Sequence, residues 1–165
     1  MFNRIIGVFK LDTKTFEEIE HNTSLTLTAG IIVVIISLIT GFGSGISNAI
    51  FHRSFLGGFF STLIGSIIGW FVWSAVTWFV GTRLFGGQAD INEMLRVIGF
   101  AYLPMVLFII PCVGPIIGAI WTLVAGFVAV RQGLDLDNTK TFFTVIIGAA
   151  CYFILTAILN LLIHI

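Results

Sequence analysis

Four charged residues within fourteen positions, Arg83, Asp90, Glu93 and Arg96 in RLFGGQADINEMLR, gather around a glycine-broken turn between two apolar runs. Such a cluster can dock a partner or hold a lipid headgroup. The same spacing also starts a helix, because Asp90 and Glu93 make the D-x-x-E capping pattern and Glu93 and Arg96 fall at i, i+3. That structural reading is favoured, and Asp135 and Asp137 in RQGLDLDNTK read the same way. A second set, Thr144, Gly148, Tyr152, Thr156, Asn160 and His164, recurs every fourth residue. Polar stripes in membrane helices can line a hydrated path, with Tyr152, Thr156, Asn160 and His164 as its lining. Interhelical hydrogen bonding accounts for the stripe without any path, and packing is favoured.

The remaining groups offer less. His52, Arg53 and His164 contain two histidines with no carboxylate or thiol beside them, a poor metal set. Cys112 and Cys151 fall at different depths, which argues against a bridge. No Ser/His/Asp or Cys/His arrangement, phosphate-cradling loop or HExxH occurs, so no catalytic residue, metal, cofactor or enzyme activity is expected.

These residues are set in hydrocarbon-compatible helices. The chain is 58% hydrophobic and only 10% charged, with a mean hydropathy of +1.09. A soluble domain would need more polar surface. Apolar runs of roughly 17–25 residues match helices that cross a bilayer. The expected fold is all-α and polytopic: a short amphipathic segment at 1–24, then a transmembrane domain at 25–165. Its five spans are about 25–47, 55–80, 94–110, 116–130 and 141–165. A net charge of zero leaves no basic field for nucleic acid.

Within the first segment Phe2, Ile5, Ile6 and Phe9 share one helical face, which predicts an amphipathic helix or broken helix over residues 2–20, lying at the membrane interface. Gly41 and Gly45 form a GxxxG on the first span, and Gly57, Ser61, Gly65 and Gly69 recur every fourth residue on the second. Such faces let helix backbones approach closely in lipid. Trp78, near the end of the second span, suits an interfacial anchor. Gly86-Gly87 stops that span, and Pro104, unable to donate to residue 100, should kink or unwind the third.

Charge sets the expected orientation. Arg4, Lys10, Lys14, Arg83, Arg96, Arg131 and Lys140 fall on one side of a five-span topology, and only Arg53 on the other. The positive-inside rule then places the N-terminus in the cytoplasm and the C-terminus outside. A faint internal repeat relates Trp73 and Arg83 to Trp121 and Arg131, each pair ten residues apart.

The GGQADINEMLRVIGFAYLP stretch, the Phe16-x-x-Ile19 turn and the later RQGLDLDNTKTF turn together resemble the Yip domain family over essentially the whole chain. That resemblance implies a five-span protein of the kind named for Ypt/Rab-GTPase interaction. Family members that bind Rab GTPases do so through an extended N-terminal region. Barely two dozen polar residues precede the first span here, so Rab-type GTPase binding is not carried over. The chain is similar to the short prokaryotic members, which implies a prokaryotic cytoplasmic membrane. The function expected is that of a non-enzymatic membrane interaction or scaffold protein, with lipids and a second copy or another membrane protein as partners. The alternative is a small-solute or ion transporter or channel.

Overall fold

A computed structural model of the chain describes residues 1–110 and 113–163, with side chains described as far as Ile154. The described residues are helical, with no strand. Two short helices, α1 (Phe2–Phe9) and α2 (Thr13–His21), precede α3 (Leu25–Ile50) and α4 (Phe55–Phe85). Then come α5 (Ile91–Ala101), a 3₁₀ segment (Leu103–Ile109), α6 (Gly114–Gly133) and α7 (Asn138–Ile163). Leu25–Ile50, Phe55–Phe85, Ile91–Ile109 and Gly114–Gly133 are each long and apolar enough to cross a membrane, and the described part of α7 is a shorter apolar helix. The protein is an all-α polytopic membrane protein.

The third span shows what Pro104 does. Helix α5 stops at Ala101 and the chain rewinds as 3₁₀, with Pro104 in its first turn. A proline there cannot donate to the Phe100 carbonyl, so the α-helical ladder ends just before it. Eleven α-helical residues at 1.5 Å and seven 3₁₀ residues at 2.0 Å together reach roughly 30 Å, enough for the hydrocarbon core. The tighter winding therefore keeps the span long enough to cross.

Close backbone approaches hold the bundle. A Cβ on Gly41 would lie 3.0 Å from the Phe59 carbonyl, and one on Gly45 would lie 2.7 Å from the Phe55 ring. This pair of glycines seats α3 against α4. Gly99 does the same for α5, where a Cβ would meet the Ala29 Cβ at 2.9 Å. The second-span stripe divides. Gly69 is buried beside the Tyr152 hydroxyl on α7, whereas Gly57, Ser61 and Gly65 stand exposed on the outer face of α4. A fourfold spacing identifies a smooth face but not what covers it.

The N-terminal segment is a broken helix, in two parts. α1 and α2 fold back on one another, with Arg4 paired to Glu18 at 2.5 Å and Gly7 against Thr15. α2 buries Phe16, Ile19 and Glu20 against α5 and α6. On α1 the predicted face splits. Val8 is buried and Ile5 and Phe9 pack on the core, while Phe2 and Ile6 remain exposed.

Candidate functional site: the polar end of the bundle

The 86–90 turn, the 134–137 turn and the C-terminal end of α2 gather at one end of the helices. Gly86 caps α4 in the left-handed region at φ 72°, and the Gly87 N–H donates to the Gly81 carbonyl at 2.9 Å. The Gln88 N–H then donates to the Leu134 carbonyl at 3.0 Å, joining the two turns. Leu134, fully buried, fills the space beside Gly81 and Gly87.

Asp90 and Glu93 form a reciprocal capping box. Asp90 Oδ1 accepts from the Glu93 N–H at 2.8 Å, and Glu93 Oε2 accepts from the Asp90 N–H at 2.7 Å. Both carboxylates are thus engaged in starting α5. Arg83 is exposed in the last turn of α4.

Arg96 requires a correction. Grouping it with a surface docking turn assumed that its guanidinium faces water, but the residue is only 2% exposed. It turns inward because α5 buries its neighbours Met94, Val97 and Ile98, and its donors find acceptors across the bundle. Nε and Nη2 donate to the Glu20 carbonyl at 3.0 and 2.5 Å, and Nη1 donates to Thr26 Oγ1 at 3.1 Å. Glu93 lies 4.0 Å away as an ion-pair partner. Glu20 is the penultimate residue of α2, where carbonyls lack helical partners and the helix dipole favours a cation.

A second side chain repeats this device. Trp121 Nε1 on α6 donates to the Phe9 carbonyl at the end of α1, at 3.0 Å. Each N-terminal helix is therefore fastened by a donor from a span to its orphan terminal carbonyl. Two further indoles tie the polar end together: Trp78 donates to the Ala89 carbonyl at 3.0 Å, and Trp70 to the Leu95 carbonyl at 3.1 Å. Trp78 thus spends its N–H on the adjoining turn rather than on the lipid interface.

Glu20 itself is the residue that sequence reasoning missed. It is 4% exposed, and burial, reinforced by the nearby charge of Asp135, pushes its carboxyl up to about 7. Its position after Phe16 and Ile19, on their buried face, was the available signal. For Arg96 the signal was its placement within the apolar run of the third span, where an arginine needs partners.

The α7 stripe is filled where it is described. Thr144 and Gly148 are buried. A Cβ on Gly148 would lie 3.4 Å from Thr77 Cγ2 of α4, and Tyr152 packs edge-on against Trp73 at 6.1 Å. The side chains of Thr156 and Asn160, and all of His164 and Cys112, lie outside the described residues. Cys151 is exposed, as are His52 and Arg53 at the α3–α4 turn. Among the described residues no group of His, Cys, Asp or Glu could hold a metal ion.

Compared with known proteins, the sequence profile of the Yip1 domain matches residues 6–159. No curated protein matches the chain, and no solved structure does.

Proposed function

We propose that this chain, which belongs to the Yip1 domain family, acts as a non-enzymatic membrane scaffold that associates laterally through the outer face of α4. The observation that carries this reading is the division of the small residues. Gly41, Gly45 and Gly69 meet neighbouring helices, whereas Gly57, Ser61 and Gly65 are exposed among the described residues. They lie on the longest helix, whose most apolar window is only 11% buried. In lipid, where hydrophobicity does not drive helices together, a smooth outward face is suited to a second helix.

The polar end supplies the other half of the proposal. With α1 and α2 fastened to α5 and α6, the segment is a preformed surface rather than a tail. Its exposed groups include Lys10, Lys14, Glu17, Arg83 and Asp90. A partner docking there would pay little ordering cost. Seven of the eight lysines and arginines fall on this side of the topology, which supports placing it in the cytoplasm.

Disulfide trapping tests the lateral interface. In a background with both native cysteines replaced by serine, Ser61→Cys in native membranes should form a covalent dimer on mild oxidation. Ala75→Cys, farther along the same exposed helix, should crosslink less. Absence of any Ser61→Cys dimer would count against the interface.

A further inference from the structure

A cavity of about 1090 Å³ lies away from the polar end, between α3, α4, the 3₁₀ segment and the start of α6. Its α3 wall runs from Leu38 to Ile50. Twelve residue steps at 1.5 Å make that wall about 18 Å long, close to the half-thickness of a hydrocarbon core of about 30 Å. The groove is therefore about one leaflet deep, and it ends three residues short of Arg53.

The lining says what fits. Leu38, Phe42, Ile46 and Ile50 expose apolar surface along it. The hydroxyl of Thr40 is already turned back to the Ile36 carbonyl at 3.0 Å, and so does not call for a polar ligand. Gly43 lines the cavity with no atom within 4 Å of where a Cβ would stand. Arg53, exposed at the α3–α4 turn, is the one lysine or arginine on its side of the topology. No acid accompanies it in that turn, so its charge is complementary to an anionic headgroup.

We propose that this groove holds one acyl chain of an anionic phospholipid, drawn from the leaflet that faces the α3–α4 turn, with the lipid phosphate at Arg53. The groove touches α4 through Thr62 and Ser66, but the proposal does not rest on the lateral interface. A bilayer supplies this ligand at high local concentration, so the pairing needs only modest affinity to remain occupied.

The test uses the full chain reconstituted in vesicles of equal parts phosphatidylglycerol and phosphatidylcholine, then extracted in mild detergent and analysed by native mass spectrometry. The wild type should retain phosphatidylglycerol in preference to phosphatidylcholine. Gly43→Leu, placed in open space, should fold with an unchanged melting temperature. It should nevertheless lose about tenfold or more of the retained lipid, since each buried methylene contributes to binding. Arg53→Gln should keep a bound chain but lose about threefold of the anionic preference, as expected for an exposed ion pair. Equal lipid retention by wild type and Gly43→Leu would overturn the groove assignment. Equal preference in wild type and Arg53→Gln would overturn the headgroup assignment. A dimer lost in Gly43→Leu, with no lipid retained by the wild type, would give the groove to a second copy instead.

Discussion

The guanidinium of Arg96 donates twice to the main-chain carbonyl of Glu20, across 76 residues of sequence. This contact turns two short helices, which would be marginal alone, into a fixed part of the bundle. Arg96→Ala should cost about 3 kcal/mol, because it leaves a buried carbonyl and the Thr26 hydroxyl without their charged donor. Hydrogen exchange should rise selectively in 2–21. Arg96→Lys should recover only part of the loss, since an ammonium lacks the planar fork that reaches both acceptors.

Glu20 gives this end a pH dependence. Its carboxyl is raised from 4.5 to about 7, so the folded state holds the proton more tightly than the unfolded chain. That contribution is fully present below 4.5 and is lost as pH rises through about 7. Asp135, Glu93 and Glu17 act in the same direction on Glu20, and His21 opposes them. His21 is itself raised from 6.5, first by its bond to the Glu17 carbonyl, so its contribution also falls with rising pH. Melting in detergent should therefore decline between pH 4.5 and 7. Glu20→Gln should flatten the lower part of that profile and shrink the His21 part, since the Glu20 charge helps to raise His21.

Much of this was legible in the sequence, and the reasons are local. Asp90 and Glu93 cap a helix because both partners lie within one turn. Pro104 breaks its helix through a missing N–H. Span length follows from apolar runs. The N-terminal clamp was not legible, because the Arg96–Glu20 contact depends on how α2 folds back over α5. The direction of the small-residue stripes was equally hidden, since Gly41 and Gly65 carry the same local signal and face different surroundings.

The turn between α4 and α5 can be dissected by stability and binding together. Asp90→Ala removes one half of the capping box and should cost about 1 kcal/mol, measured by thermal unfolding. Arg83→Glu, at an exposed site, should change stability by less than about 0.5 kcal/mol. If the polar end docks a partner, Arg83→Glu should still reduce co-purification of that partner.

Gly41 and Gly65 should behave oppositely when enlarged. Gly41→Leu forces a side chain against the Phe59 carbonyl at 3.0 Å and should cost about 1–3 kcal/mol. A Cβ at Gly65 would meet no atom within 4 Å among the described residues, and Gly65→Ile should leave the melting temperature unchanged.

The most direct test of lateral assembly is therefore the mass of detergent-solubilised wild type and Gly65→Ile, measured by light scattering with the detergent contribution subtracted. The account predicts a wild-type oligomer and a Gly65→Ile monomer of equal thermal stability. A wild-type monomer, or an oligomer that persists in Gly65→Ile, would contradict it.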